Sequence, residues 1–539
     1  MKSDSHSLPL RRTASGEEIE TRPLYVEEWL DTLPYVDFKK TSRLIYEATR
    51  ATNAQAVKGS ARLELVELYN RPYRYYVDSQ IKTGAQHTLQ SIETMQDQIE
   101  MLKMIAVNLG HACKLAAEET LKQKTLWRRT KPPLPALLSS LNYLSHALIF
   151  SFLEYAPTPK NVWREMHFAY SFAESLNQQQ AQLIPIGGDP KKEAASMTEA
   201  YARIVMAAVA DPHHLPFGAI WEIYEQLGSW VRHLRVGEFS RTDPPGGRFV
   251  VDLESDERPF PLSKFKAGPD HARYRLIDAS ALAGLAEDQL EQINAGKGLT
   301  EGIRFSPYFA RSVLGHIVRA YGSPPERLGP REERQGKLNL ARGLNAIYFF
   351  LNGEKEFAYA RSADDGEPAE GDRDLLEGEI TPSGNYKTEN WNLVDQGRGG
   401  FAVIKTDKPH FPLRVGELVA VAVRSAETPS NRKWRLGIVR WMMVRQGKSY
   451  RIGVELLAGV ALPVAVRALG GSQQDSRFRR GLLISASAKP DDGSLITERG
   501  IHISGRQLEI KLRADTVPFM AGPLVETSVA FEHFHLSQK

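Results

Sequence analysis

The stretch WNLVDQGRGGFAVIKTDKPHFPLRVGELVAVAV, residues 391–423, and the later stretch KWRLGIVRWMMVRQGKSYRIGVELLAG, residues 433–459, decide the fold of the C-terminal half. Side chains alternate with a period of two in the runs 401–405, 419–423 and 436–444, many of them apolar or β-branched, and turn residues separate the runs. Such runs are typical of β-strands that bury one face. The two stretches therefore predict a small antiparallel barrel.

A tight cluster of polar and glycine residues stands where the first of these strands begins. Its sequence is Asp395-Gln396-Gly397-Arg398-Gly399-Gly400. Glycines at such a place let the backbone take positive φ and allow a ligand to come close. The cluster is therefore a candidate binding loop.

The motifs around this loop resemble those of a PilZ domain, the bacterial receptor module for cyclic di-GMP. That family combines an RxxxR pair, a D/N-x-S-x-x-G loop, a strand ending in VG and a late IGVE strand. The matching segments are Arg327-Leu328-Gly329-Pro330-Arg331, the loop from Asp395 to Gly400, Val415-Gly416 and Ile452-Gly453-Val454-Glu455. The resemblance covers residues 325–460, about a quarter of the chain.

The sequence departs from the family pattern at two places. Gly397 stands where the family has serine, so one hydroxyl contact to the ligand is missing. In addition, 63 residues separate Arg331 from Asp395, more than the family norm, and the acidic insert SADDGEPAEGDRDLLEGE at 362–379 accounts for much of the excess. We expect a solvated or disordered excursion over 360–385.

The resemblance implies a site for cyclic di-GMP. Its residues are Arg327, Arg331, Arg334, Asp395, Gly397, Arg398, Gly399 and Gly400. Arginine pairs with phosphate and stacks on purines, glycine loops present backbone N–H groups, and a carboxylate accepts from guanine N–H groups. Spacing alone does not separate these roles from a surface ion-pair network, because Glu326, Glu332 and Glu333 lie beside the arginines.

Composition excludes several classes of protein. With 539 residues the chain is long enough for three or four domains, and 42% hydrophobic and 25% charged residues with a mean hydropathy of -0.37 are ordinary for a soluble globular protein. A net charge of +4 does not indicate nucleic-acid binding by bulk charge. The single cysteine, Cys113, excludes an intrachain disulfide and a cysteine-rich zinc site. We expect a cytoplasmic protein.

The N-terminal half is predicted to be helical. Residues 1–22 are polar and predict a disordered arm, and 23–240 carry apolar positions at helical spacing, including a long helix over 85–122. The pattern fits a helical bundle or a helical-repeat-like region, because two pieces echo tetratricopeptide phasing. Residues 132–153 have no charge and could span a membrane by length; we predict a buried amphipathic helix instead.

The remaining boundaries follow from composition. Residues 245–322 predict a small α+β connector, 323–466 the PilZ-like β-barrel, and 472–539 a C-terminal β unit. The charged segment SPPERLGPREERQ is expected to be a linker, and the run 338–350 the first barrel strand. Further strands are predicted at 480–487, 494–498, 507–513 and 525–534, with a turn at MAGP.

No enzyme is predicted. The sequence contains no GxxxxGK[ST], GxSxG, HExxH or CxxC motif, and we assign no catalytic residue, metal ligand or cofactor. The leading hypothesis is a cyclic di-GMP-binding effector whose barrel senses the nucleotide and whose helical domain holds a protein partner. The alternative is a nucleotide-independent adaptor with a degenerate PilZ-like barrel.

Overall fold

The computed structural model describes residues 20–82, 92–122, 132–191, 193–239, 244, 246–266, 271–306, 310–322, 332–357, 386–411, 413–423, 433–445, 449–469, 478–485, 493–512, 515–528 and 530–538. Residues 1–19 of the predicted arm and the predicted insert 360–385 lie outside these ranges. Two compact units are present. The barrel unit holds Glu326–Lys539 with the short stretches His213–Pro216 and Ser306–Ser312, and the helical unit holds the rest.

The helical unit is a bundle. Its helices are α1 (Pro23–Asp31), α2 (Phe38–Ala54), α3 (Gly59–Tyr76), α4 (Ile92–Lys122), α5 (Leu134–Leu153), α6 (Val162–Ser175), α7 (Met197–Val209), α8 (Ala219–Trp230), α9 (Ser280–Asn294) and α10 (Ala310–Tyr321), the last of which belongs to this unit from Val313 onward. Side-chain caps stabilise the N-termini of two of them. The Asp37 carboxylate accepts from Lys40 N at the start of α2, and Ser196 and Glu199 form a capping box at the start of α7.

Helix α5 is the centre of the bundle. It is long and apolar enough to cross a membrane, but nearly all of it is buried inside the bundle, in contact with α4, α6, α7 and α8. The predicted buried helix is therefore confirmed, although it is buried on all sides rather than along one stripe. Its serines tolerate this because each donates to a backbone carbonyl: Ser145 Oγ lies 2.7 Å from Leu141 O, and Ser140 Oγ 2.9 Å from Gly110 O.

A four-stranded antiparallel sheet completes the helical unit. Its strands are β1 (Arg235–Glu238), β2 (Arg248–Asp252), β3 (Phe260–Pro261) and β4 (Tyr274–Asp278), in the order β1-β4-β2-β3. Asp256 accepts from the backbone N of Asn161 at 2.7 Å and of Arg164 at 3.1 Å, and so caps α6. Arg275 makes a two-pronged ion pair with Glu174 of the same helix, at 2.8 and 2.5 Å. These contacts attach the sheet to the bundle.

His167 of α6 should make the helical unit sensitive to acid. It is fully buried, with Nδ1 2.7 Å from the Tyr201 hydroxyl, and burial lowers its pKa to about 4. As the pH falls below 6.5, His167 becomes protonated in the unfolded chain but stays neutral in the folded state. The free energy of unfolding therefore decreases until the pH reaches about 4. From pH 7 to pH 5 we expect a loss of about 2 kcal/mol of unfolding free energy from this residue.

Urea unfolding of the full chain, followed by helical circular dichroism at both pH values, measures this loss. His167→Gln should unfold with a shallower pH dependence than the wild type over the same interval. Equal pH slopes in the two proteins would contradict the assignment.

The barrel unit contains two closed six-stranded barrels. The first consists of β5 (Glu332–Arg342), β6 (Glu389–Gly397), β7 (Gly400–Lys405), β8 (Leu418–Val423), β9 (Arg435–Arg445) and β10 (Ser449–Leu456), with helix α11 (Gly343–Leu351) after β5. The second consists of β11 (Val460–Leu469), β12 (Arg479–Ser485), β13 (Ser494–Thr497), β14 (Gln507–Leu512), β15 (Asp515–Thr527) and β16 (Glu532–Gln538). The predicted antiparallel barrel and its additional β unit are both confirmed.

The two barrels share one strand connectivity. In each, the first strand pairs with the second and fourth, the third with the second and sixth, and the fifth with the fourth and sixth. One apolar cluster joins them. It includes Ala420 and Ile438 from the outer side of the first barrel, Ile347 and Tyr348 from α11, and Leu482, Ile484 and Ile496 from the second barrel. Helix α11 therefore packs in the joint between two barrels of the same topology.

The prediction of a single strand over the run 338–350 is wrong. Strand β5 begins earlier, at Glu332 inside the predicted linker, and the backbone then turns into α11 at Gly343, whose φ is +79°. An apolar run of this length is compatible with either a strand or a helix, and here Ala346, Ile347 and Tyr348 are buried as one helical face.

Two details of the second barrel also differ from prediction. The segment 525–534 is not a single strand, because β15 ends at Thr527 and β16 starts at Glu532, while the predicted MAGP turn lies within the irregular strand β15. Strand β11 was not predicted. It pairs with β12 and β14, so residues from Val460 onward lie in the second barrel rather than the first.

Candidate functional site

The predicted binding loop is the end of a hairpin. Asp395, Gln396 and Gly397 are the last residues of β6, Gly397 pairs with Gly400, and only Arg398 and Gly399 form the turn. Neither Gly399 nor Gly400 has positive φ, contrary to the expectation for glycines of the cluster. Gly400 is required for another reason: a Cβ there would lie 2.2 Å from Val454 O of β10. This close approach fixes the hairpin against β10.

Asp395 faces outward from the first barrel, on the strand next to β5. A bulge separates it from Leu393, and it pairs with Ala402 on β7 and with Glu333 on β5. Only 12% of its side chain is exposed, and Oδ2 accepts from Arg451 Nη2 at 3.2 Å. The carboxylate is thus held in place by an arginine that is 56 positions further along the chain.

The pairing register aligns four residues across four strands. Asp395 pairs with Ala402, Ala402 with Gly453 of β10, and Gly453 with Trp441 of β9. We call this set the outer row. Its two central residues are small, and the Trp441 indole covers Gly453 so closely that a Cβ there would lie 1.9 Å from Nε1. The Arg451 guanidinium carbon lies 5.7 Å from the centre of a Trp441 ring, within range of a cation–π contact.

The outer row and Arg451 together present polar and aromatic groups that can bind a planar, anionic ligand. The outer row has a carboxylate acceptor at one end and an indole ring at the other, and Arg451 contacts both ends. The Arg451 side chain is 40% exposed, so its guanidinium is accessible to a phosphate as well. Sequence reasoning did not assign Arg451, Gly453 or Trp441 to the site, although Gly453 lies in the IGVE motif. The period of two in RIGVE was the available signal, since it places Arg451, Gly453 and Glu455 on one face.

The predicted arginines have different outcomes. Arg327 and Arg331 lie outside the described residues. Arg334 is exposed at the start of β5 and pairs with Glu332 at 3.3 Å, not with Asp395. Glu332 pairs with Gln396 and Glu333 with Asp395, so the chain enters the barrel directly beside the β6–β7 hairpin, one residue after Arg331. Arg398 is exposed in the turn.

Within the part of the chain that the structure describes, no group of three or more His, Cys, Asp or Glu side chains is placed to hold a metal ion.

Comparison with known proteins finds matches in both halves of the chain. Residues 25–241 match the family model described as the N-terminal domain of the cyclic-di-GMP receptor FimW, and residues 248–381 and 372–463 match the middle PilZ domain of the same receptor. The cyclic-di-GMP receptor FimW of Pseudomonas aeruginosa is 22% identical, in an alignment that covers 96% of this chain and 91% of that protein. The segments matched by the middle PilZ domain contain all of the first barrel.

Proposed function

Since the chain belongs to the PilZ-domain proteins, we propose that it is a cytoplasmic effector that binds cyclic di-GMP at the outer row and holds a protein partner through its helical unit. The relative of similar length is itself named as a cyclic-di-GMP receptor. The role is that of a binding protein and not of an enzyme.

One observation carries the proposal. The pairs Glu332–Gln396 and Glu333–Asp395 bring the start of β5 to the hairpin, directly after the Arg327-x-x-x-Arg331 motif in the chain. Glu332, the residue that follows this motif, therefore lies beside the hairpin, and we propose that Arg327 and Arg331 bind the phosphates of a ligand held at Asp395. Cyclic di-GMP has two phosphates and two guanine edges, which match arginines and a carboxylate respectively.

The outer row adds contacts that the motif does not contain. We propose that Asp395 accepts from a guanine N–H edge, that the Trp441 ring stacks on a base, and that Arg451 exchanges its bond to Asp395 for a phosphate oxygen. Stacking on an aromatic ring contributes about 1–3 kcal/mol per base in nucleic-acid complexes. Such contacts would offset the hydroxyl that is lost at Gly397.

The partner is proposed to bind the helical unit near its α1–α2 corner. Apolar side chains are exposed there: Leu24 and Tyr25 on α1, Val36 in the following loop, and Tyr75 at the end of α3, which contacts Tyr35. Contact of Arg327 and Arg331 with the nucleotide would change the surface that the protein presents to the partner.

Calorimetry with purified full-length protein tests nucleotide binding. We expect the wild type to bind cyclic di-GMP, and Arg327→Ala, Arg331→Ala and Arg451→Ala each to weaken binding about 10- to 100-fold, because a hydrogen bond to a charged group contributes about 1.5–3 kcal/mol. Lys337→Ala is the matched control. Lys337 is an exposed cation on β5, so its removal changes the net charge equally but should leave affinity nearly unchanged. No heat at tens of micromolar nucleotide would refute the proposal.

One contact favours the alternative of a nucleotide-independent adaptor. In this structure the Asp395 carboxylate already accepts from the chain's own Arg451, so the acceptor that guanine would use is paired. A pull-down whose recovered partners do not change when cyclic di-GMP is added, together with a silent titration, would support that function.

A further inference from the structure

Arg440 is the extra residue of a β-bulge beside the outer row. On β10, Gly453 pairs with Trp441 and Val454 with Val439, so Arg440 has no partner across the ladder. A bulge of this kind bends the strand and re-aims its side chains. The bulge therefore sets the position from which the Trp441 indole covers Gly453.

The Arg440 side chain is clamped from two sides. Its Nε donates to Glu455 Oε2 of β10 at 2.5 Å, and Nη1 and Nη2 donate to Glu526 Oε1 and Oε2 at 2.5 and 2.9 Å. Glu526 is on β15, in the second barrel, where it pairs with His533, whose Nε2 lies 2.7 Å from Ser494 Oγ. The guanidinium at the bulge thus bridges both barrels through a planar, two-pronged contact.

The rest of β9 is held by the second barrel as well. Its outward side chains Leu436 and Ile438 lie in the apolar cluster with Leu482, Ile484 and Ile496. On the outer side of β9, the two residues packed on the second barrel are therefore followed by Arg440 and then by Trp441. Close-packed interfaces of this kind transmit small displacements instead of absorbing them.

We propose that Arg440 is a positioning residue for the nucleotide site, and that the second barrel contributes to nucleotide affinity by holding Arg440 through Glu526. The inference rests on the proposed function, because the outer row must be the site. The second barrel, which lies almost wholly outside the matched segments, becomes part of the receptor without touching the ligand. Without the clamp the bulge relaxes and the Trp441 ring leaves its position over Gly453.

Glu526→Gln in the full-length protein tests the proposal, since it keeps the side-chain shape and removes the charge that clamps Arg440. We expect its dissociation constant for cyclic di-GMP to rise about fivefold, a size usual for coupling between sites. Fluorine NMR with 5-fluorotryptophan gives a readout without ligand. The chain has 8 tryptophans, and Trp441→Phe identifies the resonance of interest, which should shift in Glu526→Gln.

Glu509→Gln is the matched control. Arg467 donates to Glu509 Oε2 through Nε at 2.8 Å and Nη2 at 2.6 Å, and the two ion pairs are similarly exposed, but both partners lie within the second barrel. This variant should leave both the affinity and the Trp441 resonance unchanged. Arg440→Lys keeps the positive charge but loses the planar pair of N–H donors that contacts Glu526. It should weaken the binding of cyclic di-GMP as Glu526→Gln does.

Three results would overturn the inference: unchanged affinity in Glu526→Gln, an equal loss of affinity in Glu509→Gln, or a Trp441 resonance that does not respond to loss of the clamp. Each differs from failure of the proposed function, in which the wild type itself would give no heat.

Discussion

Gly400→Ala is expected to lower the free energy of unfolding of the first barrel by about 3 kcal/mol. The new Cβ would lie 2.2 Å from Val454 O and 3.2 Å from Glu455 Cα, both backbone atoms of β10. Backbone atoms in a closed ladder cannot turn away as a side chain does, so β7 and β10 must separate. The hydrogen bond from Leu456 N to Gly399 O, at 2.8 Å, lies beside the point of separation.

Gly399→Ala provides the control one residue away. A Cβ at Gly399 meets no atom within 4 Å and the residue has no positive φ, so we expect a change below about 0.5 kcal/mol. Because the chain has two units, a single unfolding midpoint would mix them. Hydrogen exchange read by mass spectrometry on peptides from β7 and β10 reports on this barrel alone. Equal protection in both variants would show that Gly400 is not needed for the packing.

Arg62→Met is expected to destabilise the helical unit by about 3–5 kcal/mol, as does the loss of one partner from a buried charged network. The Arg62 side chain is fully buried at the start of α3. Its guanidinium donates to Thr52 O at 3.0 Å and Gln55 O at 2.9 Å, at the C-terminal end of α2, and lies 3.8 Å from Glu119 Oε1. Methionine fills the space but leaves these acceptors buried without a donor.

Arg71→Met is the matched variant on the same helix. Arg71 contacts Glu27 at 2.7 Å, but both side chains are largely exposed, and exposed ion pairs contribute about 0–1 kcal/mol. Urea unfolding followed by helical circular dichroism compares the two. If Arg62→Met lowers the free energy of unfolding no more than Arg71→Met does, Arg62 does not stabilise the C-terminal end of α2 as proposed.

The sequence was sufficient for features that depend on neighbouring residues. Apolar spacing predicted the long helix α4, and alternation predicted β8 and β9, because each pattern is set by the repeat of one element. Where one local pattern fits two structures, the prediction failed. The apolar run after Gly343 satisfies both a strand and a helix, and contact with the second barrel decided for α11.

The candidate site divides in the same way. The motif identified Asp395 and the hairpin glycines, which are adjacent in the chain. The remaining residues of the site are brought to Asp395 by strand register: Ala402 and Gly453 are aligned by two ladders, and Trp441 by a third that contains a bulge. A one-residue change of register would turn any of them to the other side of the barrel.

By itself, therefore, the sequence determined that this protein has a helical half, a PilZ-like barrel and an Asp-Gly loop, since short-range periodicity and a compact motif encode all three. Only the tertiary structure decided that Arg451 contacts both Asp395 and Trp441, and that Arg440 connects the strand of Trp441 to a second barrel of identical connectivity. The physical reason is that barrel closure joins residues far apart in the chain, through pairings that no local pattern specifies.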